Sequence, residues 1–265
     1  MPMIHLGDHS DVAHAAPPSG AMKGLDPRNY ATHPKGFYAA IPMAKIQPMS
    51  DEDIIAAIKR KDADRSWLTD LRNIGNNGKR IPSRDQDGEP YCWMHSGVSC
   101  AILCRARDHS PYADLSAFGP ACMIKNYRSE GGWSAEGVAF LADRGCPTSK
   151  TWAQQSKKKA NDNPATWEEA ALYRVTLKFA DIPENDTRLA ATYIIHNVPC
   201  TLDINAWRHA VAGVRVKSWS SSRSGQKFEI WNSWGDSWSE DGIGEISGSY
   251  LPNDMVAVDS VMLSV

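Results

Sequence analysis

From Ser50 onward, apolar residues recur at helical spacing. Ile54, Ile55 and Ile58 give a stripe to a helix opened by Ser50-Asp51-Glu52-Asp53. Ser50 can accept from the free backbone N–H groups, and the acids suit the positive end of the helix dipole. From Cys92 to about Arg107, Val98, Ala101 and Ile102 recur with cysteines at 100 and 104. That is the pattern of a largely buried helix with Cys92 in its first turn. A further helix is predicted from Ser134 to Asp143, with Gly145 as its stop, and another after Asp186. The pattern then changes to short apolar runs at 201–204, 211–216, 228–231, 243–246 and 255–265, which read as strands. Helices first and strands later predict an α+β fold with segregated halves.

Residues 1–49 show no sustained period and read as an irregular N-terminal arm; 50–66 read as a short helical connector and 67–265 as the main domain. Gly75 and Asn76-Asn77-Gly78 mark turns, and Lys157-Lys158-Lys159 reads as a solvated loop. Hydrophobic residues make up 42% and charged residues 23%, ordinary values for a globular domain. The formal net charge of -2 gives no reason to expect nucleic acid or an anionic membrane as partner. No stretch approaches the ~20 apolar residues of a membrane span, and residues 1–20 lack the basic flank and apolar core of a secretory signal. The six cysteines, at 92, 100, 104, 122, 146 and 200, read as buried free thiols in a reducing compartment. The expected location is therefore cytoplasmic or virion-associated.

Candidate chemistry gathers around Cys92. The chain order Gln86, Cys92-Trp93, His209, Asn232 supplies a thiol, an imidazole and two side-chain amides. A thiol attacks a carbonyl only as thiolate, and a helix N-terminus together with an imidazolium makes the seat it needs. Asn232 can accept from the second ring nitrogen and fix the imidazole, with Trp234 covering that bond. The Gln86 side chain and the Cys92 backbone N–H can cradle an oxyanion. Cys92, His95, Cys100 and Cys104 lie on one predicted helix and cannot surround a single tetrahedral metal ion; hydrolysis by a thiol calls for no metal or organic cofactor, and none is expected.

Gln86-x5-Cys92-Trp93, His209-Ala210-Val211 and Asn232-Ser233-Trp234-Gly235 resemble the papain-like cysteine peptidases. Gly131-Gly132-Trp133 resembles the glycine pair on that family's cleft wall. The 181–186 segment followed by Asn197-Val198-Pro199 is similar to the approach to its right-hand domain. The resemblance implies two lobes, a helical left domain and a β-barrel-like right domain, with the cleft between them. It implies that Cys92 is the nucleophile, His209 the acid/base, Asn232 the orienting amide and Gln86 the oxyanion donor. Gly131, Gly132, Trp133 and Trp234 would then line the site for a peptide or protein substrate.

Departures from the family pattern accompany the match. Glu89 stands where the family usually has a cysteine, and Ser129 where that cysteine's disulfide partner usually lies. Pro90-Tyr91 adds bulk before the nucleophile, and Ser237 and Ser239 stand where the family tends to have glycine. The family's inhibitory pro-segment motif is not found in residues 1–66. The resemblance implies peptide-bond hydrolysis through a thioester. The rival expectations are a structural or interaction component of a larger assembly such as a bacteriophage particle, bound through residues 1–49 and with an idle or occluded site, and acyl transfer or deamidation by the same thiol.

Overall fold

The computed structural model describes residues 2–8, 23–36, 46–176 and 179–259. Seven α-helices lie among them: α1 (Asp51–Asp64), α2 (Leu68–Ile74), α3 (Cys92–Arg107), α4 (Phe118–Ile124), α5 (Ser134–Asp143), α6 (Pro164–Ala171) and α7 (Thr187–Ile195). Seven strands accompany them: β1 (Ile4–Leu6), β2 (Phe179–Ile182), β3 (Cys200–Ile204), β4 (His209–Ser218), β5 (Lys227–Trp231), β6 (Ile243–Ser247) and β7 (Asp254–Val258). None of the described helices is long and apolar enough to cross a membrane.

The predicted α+β class holds, and α3 and α5 carry the bounds read from the pattern. Local chemistry fixes the ends of several helices. The Ser50 hydroxyl accepts from the Asp53 N–H at 3.1 Å, and Arg65 closes α1 in the left-handed region at φ 49°. The Asp186 and Asn163 side chains cap α7 and α6 by accepting from the N–H groups of Leu189 and Thr166. α3 differs from a surface helix. Every residue from Cys92 to Arg105 is buried, so it runs through the core, packed by α5 on one side and β4 on the other.

The strands form one sheet in the order β1-β6-β5-β4-β3-β7-β2, antiparallel throughout except for the parallel β1–β6 pair. The right half was expected to be barrel-like. The sheet is instead open, because its edge strands β1 and β2 lie at opposite ends of the order and do not pair. The last strand ends at Val258, and the remainder of the predicted 255–265 run lies mostly outside the described residues. β1 belongs to the stretch read as an irregular arm. Three residues are enough to pair with a sheet edge and too few to show a period.

Candidate active site

Tyr91 precedes α3 without capping it through its side chain, so Cys92 opens the helix among first-turn N–H groups. Cys92 is fully buried. Burial pushes its thiol up to about 12, and the charge of Asp203 acts in the same direction. The backbone N–H groups of Ala210, Gly24 and Trp93 pull the other way. Ala210 lies one residue beyond His209 on β4, so the α3–β4 packing brings the thiol and the imidazole into one neighbourhood.

His209 opens β4 after Arg208, which sits at φ 53°. Its Nε2 lies 2.7 Å from Asn232 Oδ1, while its Nδ1 is buried with no hydrogen-bond partner. An amide oxygen can only accept, so Nε2 carries the proton and Nδ1 the lone pair. Trp234 and Trp207 cover the ring at centroid distances of 4.5 and 4.7 Å. Burial lowers the imidazole to about 3; the Asn232 bond opposes this and Lys23 adds to it. Burial thus favours the uncharged form of both thiol and imidazole.

Gln86 ties two loops together. Its backbone N–H donates to Ser233 O at 3.0 Å and its Oε1 accepts from the Ser233 hydroxyl at 2.8 Å. Its Nε2 donates to Glu89 O at 2.7 Å. The amide thus spans the segment leading into Cys92 and the one holding Asn232. The Lys157-Lys158-Lys159 run is not simply a solvated loop, because Lys157 Nζ lies 2.6 Å from Glu89 Oε1 and donates to Ser129 Oγ at 2.7 Å. The two positions that would carry a disulfide in the resembled family are joined by a lysine bridge. All six cysteines are buried and unpaired.

The cleft is covered by the chain itself. Residues 23–36, read as part of an irregular arm, cross it as a strap, extended over 23–29 and then folded into turns in which the N–H groups of Thr32 and His33 donate to Asn29 O. Gly132 N–H donates to Gly24 O at 3.0 Å, and Asp26 N–H donates to Gly132 O at 3.1 Å, a parallel bridge centred on Leu25. Leu25 N–H donates to Arg208 O at 3.2 Å, and its side chain is buried. The glycine pair is required by close approach. A Cβ on Gly132 would lie 2.7 Å from the Trp93 ring, and one on Gly131 would lie 2.7 Å from Gly24 O. His33 of the strap packs against Trp133 with ring centroids 4.9 Å apart.

The structure thus places Cys92, His209, Asn232, Gln86, Gly131, Gly132, Trp133 and Trp234 around one covered cleft. An occluded site was among the rival expectations from the sequence, without the residues that cover it; Asp203 went unnoticed. The one signal for Asp203 was a carboxylate interrupting the apolar run of β3, where an unpaired charge does not bury.

No protein-family model matches the sequence, and no curated protein matches it. Solved structures match by shape. Digestive procathepsin L 3 of Tenebrio molitor larval midgut superposes with a TM-score of 0.55 at 15% identity, covering 80% of this chain and 90% of the other. Procathepsin L2 proteinase from the same tissue gives 0.58 at 13% identity over 97% and 84%. Xylellain, a cysteine protease from Xylella fastidiosa, gives 0.55 at 16% identity over 68% and 83%. At such identities the likeness establishes the fold, which is papain-like.

Proposed function

We propose that this chain is a cysteine peptidase held in a latent form by residues 23–36. The observation that carries the reading is the buried, unpartnered Nδ1 of His209, with Nε2 fixed by Asn232 and the thiol of Cys92 on the adjoining helix. Nδ1 is the nitrogen left to take the thiol proton. Once the strap leaves and water enters, the thiolate attacks a peptide carbonyl carbon and the electron pair moves to the oxygen, facing Gln86 Nε2 and the Cys92 N–H. Collapse of that adduct breaks the C–N bond, and the Nδ1 proton goes to the leaving amine. Water, activated by the same nitrogen, then cleaves the thioester. An amine in place of water would give acyl transfer.

The covered cleft supports latency rather than absence of a site. Strap and Gly132 pair through backbone groups, the way an extended peptide binds. Two of the similar structures are procathepsins, and one of these matches over 97% of this chain. A second reading, an idle site that is never uncovered, draws on the full burial of Cys92. Alkylation separates the two readings. In protein whose strap is displaced by Gly24→Ala, iodoacetamide at pH 6 is expected to modify Cys92 at least tenfold faster than any other cysteine, and His209→Ala to remove the advantage. Equal modification of all six thiols refutes the peptidase reading.

A further inference from the structure

The strap does more than pair with Gly132, because it sets two cations on a buried group of carboxylates. The Arg28 side chain is fully buried, and its Nη1 and Nη2 donate to Asp181 Oδ1 and Oδ2 at 2.9 and 3.0 Å. The same guanidinium lies 3.6 Å from Asp254 Oδ2. Lys35 Nζ donates to Asp181 Oδ1 at 3.0 Å and also to Asp254 Oδ1. Both cations flank the Tyr30 ring, at 5.4 and 5.2 Å from its centroid.

The third carboxylate is Asp203. It sits directly across from Asp254 on β7 and from Ala210 on β4, which places it one strand away from the residue that follows His209. Ser134, immediately after the Gly131-Gly132-Trp133 wall, donates to Asp203 through both its N–H and its hydroxyl. The acids therefore line the cleft beside the candidate catalytic pair. Burial and then the charge of Asp254 push the Asp203 carboxyl up to about 7, and the two strap cations engage the other two acids, Asp181 and Asp254. Asp254 is almost wholly buried, and its Oδ2 has no hydrogen-bond partner. Two features thus point to a ligand: the fully buried Arg28 guanidinium, and an Asp254 oxygen that faces it at 3.6 Å without a hydrogen bond of its own.

We infer that Asp181, Asp203 and Asp254 form a substrate subsite for a cationic side chain, which Arg28 and Lys35 fill while the strap is in place. The inference rests on the peptidase reading and adds the substrate class. With the strap gone, two carboxylates stand bare in a cleft walled by Trp133. A substrate arginine or lysine restores the pairing, whereas an apolar side chain leaves buried charge uncompensated. Arg28 lies three residues from Leu25, a reach of about 10 Å in extended chain. The selected cation therefore falls within about three residues of the one laid against Gly132.

The test uses the full chain carrying Gly24→Ala and two peptides that differ only in arginine against citrulline, which keeps the shape and removes the charge. The expected result is at least a tenfold higher kcat/KM for the arginine peptide. In Asp181→Asn and Asp254→Asn proteins that preference falls below threefold. Equal turnover of the two peptides by the unmodified subsite overturns the inference and leaves the peptidase reading standing. Turnover of neither, with Cys92 no more reactive than the other thiols, removes both.

Discussion

Gly24→Ala should uncover the nucleophile. Gly24 is pressed against Pro90, and an added Cβ would fall inside the van der Waals radii of Pro90 O and C and lie 2.5 Å from its Cα. These are backbone atoms at the entry to α3 and cannot turn aside. The strap must lift, which forfeits the Gly132 N–H to Gly24 O bond and the burial of Leu25. One hydrogen bond is worth about 1 kcal/mol and a buried leucine about 1.5–3 kcal/mol, so the shift in the opening equilibrium is about 2–4 kcal/mol. A protected thiol that reacts only when the strap opens reports the open population directly. At 1.36 kcal/mol per decade, alkylation of Cys92 should accelerate roughly 30- to 1,000-fold over the unmodified protein. The assay is the rate of iodoacetamide incorporation at Cys92 read by peptide mass spectrometry, with the melting temperature confirming that the protein remains folded. A folded Gly24→Ala protein that reacts at the original rate refutes the strap as the gate.

His95 is buried with neither ring nitrogen bonded, and burial, with smaller contributions from Arg84 and His209, pushes it down to about 3. The unfolded chain takes up this proton below its ordinary 6.5 while the folded chain does not, so the stability is present above 6.5 and lost as pH falls towards 3. His95→Phe should raise stability by about 1–3 kcal/mol at pH 7 and flatten part of the acid limb in urea unfolding at pH 4.5, His209 supplying the remainder. Lys157→Met breaks a bridge whose groups are partly exposed, so it should cost no more than about 1 kcal/mol in the urea midpoint, and less at high salt. In the strap-opened protein, Gln86→Ala should lower kcat by roughly 10²–10³-fold with KM little changed, the signature of a donor used mainly in the transition state.

Much of the helical half and all of the short strands after β3 were legible, because caps, apolar spacing and turn residues agree locally. The α3 bounds emerged although the helix is buried on every side, since its entry and exit are marked even where its faces are not. Sheet order and openness were not legible, because pairing partners are set by tertiary packing rather than by any run of residues. The strap was hidden for a related reason. It binds Gly132 through its backbone and buries Leu25, so no period shows. A lysine run looks the same whether solvated or bridging, which is how Lys157 escaped notice. Among the candidate site residues, residue types in chain order and the papain-like resemblance pointed to Cys92, His209, Asn232 and Gln86, and the fold brings them together. Their burial beneath the chain's own N-terminal segment could not be read from residue types.

The most direct test is whether the uncovered thiol cleaves peptide bonds. Gly24→Ala protein is incubated with a mixed peptide substrate rich in arginine and lysine, and new termini are counted by mass spectrometry beside the same protein carrying Cys92→Ser. New termini are expected from the first, with a thioester adduct on Cys92 when hydrolysis is slowed by cold and acid quench; the second should yield neither. Cleavage that persists in the Cys92→Ser protein, or a reactive and uncovered Cys92 that forms no acyl adduct, would contradict the peptidase reading.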